Sequence, residues 1–382
     1  MVGARPQFIK AAAVSRAIRS RSDLGMTEVI VHTGQHHDSN MSQVFFDQLR
    51  IPPPTHNLAI AGGGHGEMTG RMLQALEPVM LAEQPDWVLI YGDTNSTLAG
   101  ALVATKLKIP IAHVEAGLRS FNMGMPEEVN RTLADRVSKL LFCPTTAAVE
   151  NLDAEGLREG VHLVGDVMYD VALHFGELAR QRSDWLRKHA LRPRTYALVT
   201  CHRAENTDNL ARLKAIFTAL NQIAQHMPLV IPLHPRTRIA ASQAGLMPLL
   251  DPCIVVNPLS YLDMVAAEQD AAVIVTDSGG VQKEAFFFSV PCVTVREETE
   301  WLETVELGWN RLVVAEANEI AQAALGAKKP ETTPAGTFPY GSGHAALTIA
   351  RHLGCASPTS AKTCIQLLES DSSDLAGCSR GL

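Results

Sequence analysis

The stretch "DWVLIYGDTNSTLAGALVATKLKIPIAHV" (86–114) contains the pattern that decides the fold. Its two apolar runs, 86–91 and 109–114, are rich in β-branched residues and too short for core helices, so we interpret them as strands. The segment between them, 95–107, has a helical pattern and begins with residues that favour helix caps. A strand, a helix and a second strand in this order are typical of a parallel sheet covered by helices.

The same alternation continues in both directions along the chain. Short strand-like runs occur at 27–33, 86–91, 109–114, 139–144, 161–165, 195–201, 228–233, 253–257, 271–276 and 291–295. Ten strands are many for one sheet, and the longest helical stretch, 166–190, falls near the middle. We therefore predict an α/β fold with two Rossmann-like, doubly wound parallel-sheet domains, 1–165 and 166–341.

The two ends of the chain depart from this pattern. Only Met1 and Val2 precede the first glycine-containing turn, so the first strand of the first domain is nearly absent. The tail, 355–382, is rich in Ser, Cys and Gly without periodicity, which predicts disorder.

Composition excludes several functional classes. The 382 residues carry a formal net charge of −7, so there is no basic excess for nucleic-acid binding. No apolar run reaches the roughly 18 residues that a membrane span needs, and no secretory signal is recognisable. We expect a soluble, cytoplasmic protein. The sequence also lacks CxxC pairs, HExxH, a P-loop and GxGxxG, so we predict neither a metal nor a cofactor.

Cations near the first turn suggest a phosphate site. In "GARPQFIK" (3–10), Arg5 and Lys10 follow a tight turn at Gly3 and lie near the start of a helix. Cations near a helix N-terminus suit a phosphate group. Solvated surface charges remain the alternative interpretation.

Two acidic residues follow neighbouring strand-like runs. Asp93 comes directly after the run that ends at Gly92, and it is either a turn residue or a carboxylate at the ligand-binding edge. Glu115, in "AHVEAGLRS" (112–120), ends another run and either faces the cleft or pairs with Arg119. Ligands of open α/β sheets bind beyond the carboxyl ends of strands, which favours a functional role for both.

The segment "MPEEVNRTLADR" (125–136) has the pattern of a helix start. Glu127 lies in its first turn, where an acidic residue can simply complement the helix dipole. Glu127 and Arg131 are four positions apart and share a helix face, so we expect them to pair. Such an arginine would keep the carboxylate ionised.

The predicted second domain begins with basic residues after its first strand. In "VTCHRAENTDN" (199–209), His202 and Arg203 directly follow that strand. An imidazole at this position can lie over a diphosphate, although a lone histidine is more often structural.

The strongest single motif is "TDSGGVQKEA" (276–285). Ser278, Gly279 and Gly280 form a loop between a strand and a helix. Backbone amides and the helix N-terminus at such a loop form an anion site. Glu284 lies one turn further on, where a carboxylate would suit a ribose diol better than a phosphate.

Taken in order, the motifs "GARPQFIK", "HTGQH", "YGDTNST", "HVEAGLRS", "PEEVNR", "CHRAEN", "DSGGVQKEA" and "YGSG" resemble those of the non-hydrolysing UDP-N-acetylglucosamine 2-epimerase family, from residue 3 to about 353. The resemblance implies a GT-B-like pair of domains with an interdomain active-site cleft, and a C-terminal helix, here about 342–353, that packs on the first domain. It implies a metal-free interconversion of UDP-GlcNAc and UDP-ManNAc, by elimination and re-addition of UDP through a glycal. We also expect a homodimer.

Residue roles follow from motif positions in that resemblance. The implied catalytic residues are Asp93, Glu115, Glu127 and His202. The implied substrate-binding residues are Arg5, Lys10, Arg131, Arg203, Ser278, Gly279, Gly280 and Glu284. Gln35 and Arg71 match part of a second substrate site that activates some members of the family.

Departures from the family pattern leave alternatives open. The family often has "TERPE" after the last strand, whereas this chain has "TEWLE", with Trp301 in place of the arginine that contacts the nucleotide. Relatives that epimerise UDP-2,3-diacetamido-2,3-dideoxyglucuronate share the same motifs, so that sugar is an alternative substrate. A GT-B glycosyltransferase, which would need an acceptor, is the alternative activity.

Overall fold

The chain forms two compact units. In this computed structural model the described residues are 1–3, 5–34, 51–331 and 338–355. Unit 1 comprises Met1–Asp170 together with the segment that begins at Pro339, and unit 2 comprises Val171–Phe338. The predicted tail lies beyond the described residues, apart from its first residue.

Unit 1 is built on parallel strands. They are β1 (Val31–His32), β2 (His56–Asn57), β3 (Val88–Tyr91), β4 (Ile111–Val114), β5 (Leu140–Cys143) and β6 (Val161–Leu163). The last four form a sheet in the order β3-β4-β5-β6, and β1 pairs with β2. Because these strands are parallel, the carboxyl ends of β3 and β4 lie side by side.

The place of a first strand in unit 1 is taken by two residues. Val2 forms an isolated parallel bridge with His32, and its carbonyl accepts a hydrogen bond from the amide of Thr33 (2.9 Å). The amino group of Met1 donates to the carbonyl of Leu89 (2.7 Å). Met1 and Val2 together therefore link β1 with β3, and the turn at Gly3 follows at the carboxyl side of this link.

Unit 2 contains a six-stranded parallel sheet. Its strands are β7 (Ala197–Thr200), β8 (Leu229–Pro232), β9 (Ile254–Val256), β10 (Val273–Thr276), β11 (Cys292–Val295) and β12 (Asn310–Val313). Their order is β12-β11-β10-β7-β8-β9. The chain runs outward in opposite directions from β7 and β10, and a doubly wound sheet binds its ligands at such a switch point.

Helices connect the strands of both units. They are α1 (Arg5–Ser20), α2 (His65–Glu83), α3 (Asn95–Lys106), α4 (Pro126–Val137), α5 (Thr146–Ala154), α6 (Val167–Arg182), α7 (Trp185–Lys188), α8 (Ala204–Thr207), α9 (Leu210–Ala224), α10 (Pro235–Gln243), α11 (Tyr261–Gln269), α12 (Gly279–Phe287), α13 (Leu302–Glu306), α14 (Ala317–Leu325) and α15 (Ala345–Cys355). Short 3₁₀ helices occur at Ser22–Leu24 and Met247–Leu250. None of the described helices is both long enough and apolar enough to cross a bilayer.

Each unit has its own apolar core because the helices bury one face against the strands. In unit 2, Phe217 and Leu220 of α9 pack in one cluster with Val199 and Val275 of the sheet. In unit 1, buried residues of α2 and α3 pack against β3. The parallel sheets and their covering helices confirm the predicted α/β class.

Two features differ from the sequence prediction. Strands β2 and β12 were not predicted, because "HN" and "NRLV" are too polar to stand out as apolar runs. The predicted helical stretch 166–190 is wrong as a single element, since α6 ends at Arg182 and α7 begins at Trp185. Ser183 explains the break: its hydroxyl accepts from the amide of Trp185 (3.2 Å) and donates to Asp263 (2.8 Å).

Candidate active site

In unit 1, the turns that follow β3 and β4 meet at Gly92. The amide of Gly92 donates to the carbonyl of Val114 (3.0 Å). Gly92 has a positive φ of 58°. A Cβ atom at this position would lie 3.2 Å from a carboxylate oxygen of Glu115 and 3.3 Å from the Nζ atom of Lys10. Glycine therefore allows a charged pair to lie close to the turn that precedes Asp93.

That charged pair is Lys10 with Glu115. The two side chains form an ion pair and are only 9% and 8% exposed, respectively. Glu115 has a φ of 73°, which is strained for a non-glycine residue and is typical of functional sites. The alternative in which Glu115 pairs with Arg119 is wrong, because Arg119 binds Asp135 (2.8 Å) and Glu155 (2.6 Å). Lys10, predicted to bind substrate, is engaged by a carboxylate of the protein.

Arg131 of α4 holds Asp93. Its Nη2 atom lies 2.5 Å from the Asp93 carboxylate and its Nη1 atom donates to Glu128 (3.0 Å). The predicted pairing of Arg131 with Glu127 is therefore wrong. Glu127 is exposed and forms no ion pair with the described residues, because the first turn of α4 directs it away and turns Glu128 inward.

Glu128 is a buried acidic residue whose role was not predicted. Its carboxylate accepts from the amide (2.9 Å) and hydroxyl (3.0 Å) of Ser120 and from the amide of Phe121 (3.0 Å). It therefore ties the loop after β4 to Arg131. The spacing of three positions to Arg131 is compatible with such a pair, but the sequence does not distinguish Glu128 from Glu127.

Buried hydrogen bonds of His113 and Asp135 also hold the turns that follow β3 and β4. His113 of β4 has its Nδ1 atom 2.7 Å from Asp135 and its Nε2 atom 2.7 Å from the carbonyl oxygen of Gly92. Asp135 also accepts from the amide of Gly117 (3.1 Å). Burial alone would raise the pKa of Asp135, but the charges and hydrogen bonds of His113 and Arg119 outweigh burial and lower it. The sequence analysis did not single out His113. The one signal available was an ionisable side chain within a run predicted to be a buried strand.

In unit 2, one buried carboxylate joins the loops after β7 and β10. Asp277 accepts hydrogen bonds from the amides of His202 (3.0 and 3.1 Å) and Arg203 (3.0 Å) and from the side chain of Asn206 (3.2 Å). The imidazole of His202 lies 3.5 Å from Asp277 and is 43% exposed. Asp277 was not predicted, although it stands directly before the predicted Ser278.

The predicted glycine loop forms the start of α12. Ser278 precedes the helix without making a side-chain cap, so the first amides of α12 lack that partner. A Cβ atom on Gly279 would lie 3.5 Å from the indole nitrogen of Trp301 and 3.9 Å from Arg296. Trp301 therefore lies beside Gly279. The guanidinium of Arg296, which the sequence analysis did not predict, lies near the same glycine.

The surroundings of Trp301 are charged and buried. The ammonium of Lys283 lies 3.7 Å from the centre of the Trp301 ring. Arg296 donates two hydrogen bonds to Glu300 (3.0 and 3.1 Å). Glu284 is also buried. A helix start flanked by arginine and lysine can hold a phosphate group.

The other predicted site residues make few contacts that bear on a role in binding. Arg5 begins α1, but its side chain lies outside the described structure, as does Gln35. Arg203 lies 3.8 Å from Glu205. Gly280 is exposed. Arg71 donates to the carbonyls of Ala61 (3.1 Å) and Gly62. Among the described residues, no cluster of His, Cys, Asp or Glu could hold a metal ion.

Comparisons with known proteins place the chain in one group. Residues 16–354 match the family model of UDP-N-acetylglucosamine 2-epimerase. The UDP-2,3-diacetamido-2,3-dideoxy-D-glucuronate 2-epimerase of Pseudomonas aeruginosa is 51% identical over 357 residues, which cover 92% of this chain and 98% of that protein. The UDP-N-acetylglucosamine 2-epimerase of Methanocaldococcus jannaschii is 43% identical over 321 residues, covering 82% of this chain and 87% of that one.

Solved structures agree with this grouping. The M. jannaschii UDP-GlcNAc 2-epimerase in complex with UDP-GlcNAc and UDP has a TM-score of 0.83 and 40% identity, covering 92% of this chain and 98% of that chain. The Neisseria meningitidis enzyme bound to UDP-GlcNAc has a TM-score of 0.82 and 28% identity, again with 92% and 98% coverage. These neighbours confirm the predicted GT-B-like fold.

Proposed function

We propose that this chain, which belongs to the UDP-N-acetylglucosamine 2-epimerase family and is an isomerase, interconverts UDP-GlcNAc and UDP-ManNAc by inverting the carbon that bears the acetamido group. One observation carries the proposal. Two carboxylates stand at neighbouring strand ends of unit 1, and each is held by its own cation: Asp93 by Arg131 and Glu115 by Lys10. Two fixed carboxylates can supply the base and the acid that inversion at one carbon requires.

The proposed reaction is an elimination followed by re-addition. A carboxylate removes the proton from C2, a double bond forms between C1 and C2, and the C1–O bond breaks with its electron pair on the departing UDP. UDP then adds back to C1 of this glycal while an acid returns a proton to the opposite face of C2. No oxidant or reductant is needed, because every atom and electron is restored.

We assign the proton transfers to Asp93 with Glu115 or Glu127. The ion pairs with Arg131 and Lys10 keep the first two in fixed positions, whereas the exposed Glu127 is free of ion pairs with the described residues.

We assign the diphosphate to the groups that can stabilise developing negative charge. They are His202 and Arg203 after β7, the amides from Ser278 to Gly280, and Arg5. Glu284 would bind the ribose diol. The support is the buried Asp277, which fixes the backbone of His202 and Arg203 immediately beside the start of α12. Departing charge is stabilised best by donors that are fixed beforehand.

A second substrate is favoured by the comparisons. The relative with 51% identity is named for UDP-2,3-diacetamido-2,3-dideoxy-D-glucuronate. Two relatives named for UDP-N-acetylglucosamine, the first of them as a homolog, are 49% and 43% identical. The same C2 chemistry would apply to both sugars, because both carry an acetamido group at that carbon. The two candidates differ in their substituents at C3 and C6.

Proton NMR in deuterated water tests both substrates directly. Each UDP-sugar is incubated with the protein alone, without an acceptor. We expect a new UDP-sugar with inverted C2 and the loss of the C2 proton signal from the substrate pool through exchange. Release of the free sugar, or no reaction of either substrate, would contradict the proposal. A glycosyltransferase would produce no new UDP-sugar under these conditions.

We further propose a cytoplasmic homodimer. Its support is the family resemblance and the large apolar side chains exposed on one loop, Phe121 (77%) and Met123 (63%), since subunit contacts often cover such surfaces. Light scattering coupled to size-exclusion chromatography should give twice the mass of the chain. The mass of a single chain would exclude the dimer.

A further inference from the structure

His113 is a fully buried histidine whose two ring nitrogens both face oxygen atoms. Its Nε2 atom lies 2.7 Å from the carbonyl of Gly92, and its Nδ1 atom lies 2.7 Å from Oδ1 of Asp135. The side chains of His113 and Asp135 are both inaccessible to solvent. No water can therefore replace either contact without a rearrangement.

A neutral imidazole cannot satisfy both contacts. It has one N–H donor and one nitrogen that only accepts. The carbonyl of Gly92 has no hydrogen to donate, so Nε2 must carry a proton. If Nδ1 were unprotonated, Asp135 would have to be a neutral acid that donates to it.

Asp135 is instead an ionised acceptor. Its other oxygen, Oδ2, accepts from the amide of Gly117 (3.1 Å) and from the guanidinium of Arg119 (2.8 Å). These two contacts, an amide and a guanidinium that both donate to Oδ2, favour the carboxylate form of Asp135. The Nδ1 atom of His113 must then donate as well.

Charge balance supports two protons on His113. The network contains one guanidinium, Arg119, and two carboxylates, the fully buried Asp135 and the partly exposed Glu155 (26%), which is bound to Arg119 at 2.6 Å. With a neutral imidazole this network would carry one uncompensated negative charge. A protonated His113 makes it neutral, and buried charges are tolerated when they are paired and hydrogen-bonded.

We propose that His113 carries a proton on both ring nitrogens and is a positioning residue, which fixes the Gly92 carbonyl and thereby places Asp93 and Glu115 for catalysis. Gly92 needs a left-handed backbone, and the hydrogen bond from Nε2 holds its carbonyl in the orientation that this backbone requires. Asp93 is the next residue along the chain, and Glu115 lies against Gly92. This inference rests on the proposed function only in its catalytic consequence.

The charge state is tested in the wild-type protein by NMR. In protein labelled with ¹⁵N-histidine, long-range ¹H–¹⁵N correlation at neutral pH should show both ring nitrogens of His113 with the shifts of protonated nitrogens. The His113→Gln spectrum assigns the resonance. The control is His162 on β6, which packs against the ring of His352 rather than a carboxylate and should show one unprotonated nitrogen. An unprotonated nitrogen on His113 would overturn the assignment.

The positioning role is tested with two matched amides. Glutamine can place its amide N–H near the Nε2 position and donate to Gly92, whereas asparagine reaches only the Nδ1 position and contacts Asp135. We expect His113→Asn to lower kcat by about 100-fold with little change in KM, and His113→Gln to recover most of that loss. Equal kcat values for the two variants, both folded by circular dichroism, would refute the role.

The two proposals fail in different ways. If the wild-type protein inverts neither UDP-sugar, the proposed function is wrong and the NMR shifts alone decide the charge of His113. If it is active and His113 has an unprotonated nitrogen, the inference is wrong and the proposed function stands.

Discussion

Glu115 combines backbone strain with a buried charge. Its left-handed backbone costs of order 1–3 kcal/mol for a non-glycine residue, and its carboxylate is almost completely removed from water. The ammonium of Lys10 compensates the charge. Such a costly arrangement persists only where the surrounding structure holds it, which fits a residue at the end of β4 whose position matters for a reaction.

Replacing Lys10 tests this dependence. We expect Lys10→Met to lower the free energy of unfolding by about 3–5 kcal/mol, because the buried carboxylate of Glu115 loses the ammonium that compensates its charge. The measurement is urea unfolding. Adding Glu115→Gln should recover part of the loss. As a control, Arg158→Ala breaks a pair with Asp153 that is exposed on both sides and should change stability by less than about 1 kcal/mol. A similar loss in both single variants would contradict the expectation.

Replacing Asp93 tests the chemistry at the same scale. Asp93→Asn keeps the shape of the side chain but cannot accept a proton. Exchange of the sugar C2 proton with deuterated water should slow by about 10²- to 10⁴-fold, measured by proton NMR. Asp153→Asn, at an exposed carboxylate of the same unit, should leave the rate unchanged. Near-normal exchange in Asp93→Asn would remove this residue from the mechanism.

The sequence identified the acidic residues at strand ends but not their partners. Asp93 and Glu115 could be predicted, because parallel strands deliver the residues that follow them to one edge. Partner choice depends on side-chain directions in three dimensions. The rotation of the first turn of α4 decides that Glu128, and not Glu127, meets Arg131. Sequence spacing permits either contact.

At the scale of elements, one acidic side chain accepts hydrogen bonds from the first turn of α15. Asp170 accepts hydrogen bonds from the amides of Ala345 (3.2 Å) and Ala346 (2.7 Å) in the first turn of α15. A carboxylate suits the positive end of a helix. Burial nevertheless raises the pKa of Asp170 to about 6, although these two hydrogen bonds oppose that effect.

This raised pKa predicts a pH dependence of stability. Because the folded state binds the proton more tightly than the unfolded state, the contribution of Asp170 is fully present below about pH 4 and is lost as the pH rises through about 6. The change amounts to roughly 3 kcal/mol. In the wild-type protein, Asp170 should make the free energy of unfolding fall by this amount between pH 4 and 7. We expect Asp170→Asn to lack this fall, measured by urea unfolding at several pH values. An unchanged profile would show that burial does not perturb Asp170.

Elements were easier to predict by type than by boundary. Helical patterns such as 95–107 and 126–139 correspond to α3 and α4, because apolar periodicity and cap residues are local signals. The break between α6 and α7 was missed, since it depends on a hydrogen bond from Ser183 to Asp263, eighty positions away. Polar edge strands such as β12 also have no local signal strong enough to identify them.

At the scale of the whole molecule, the two units have separate cores. Two buried clusters of unit 2 consist, among the described residues, of side chains between Trp185 and Ala324. The alternation of strands and helices indicated two sheets. The order of strands within each sheet is set by long-range pairing, which no local pattern records.

Separate cores predict that unit 2 folds alone. We expect a fragment consisting of Val171–Phe338 to be soluble and to unfold cooperatively, measured by circular dichroism during heating. UDP should raise its Tm if the start of α12 binds the diphosphate, because a ligand that binds only the folded state stabilises it. A fragment in which Ser278→Glu introduces a like charge serves as the control and should lose that shift. A fragment without a cooperative transition would contradict the independence of the two cores.

The stacking of Lys283 on Trp301 gives the protein an optical reporter. Indole emission responds to nearby charge, and this ring lies against Gly279 while an ammonium covers its face. An arriving diphosphate would change the field around the ring, so tryptophan fluorescence should shift as UDP is titrated in, and Trp301→Phe should abolish the shift. Occupancy could thus be followed in real time, without a dye or a coupled assay.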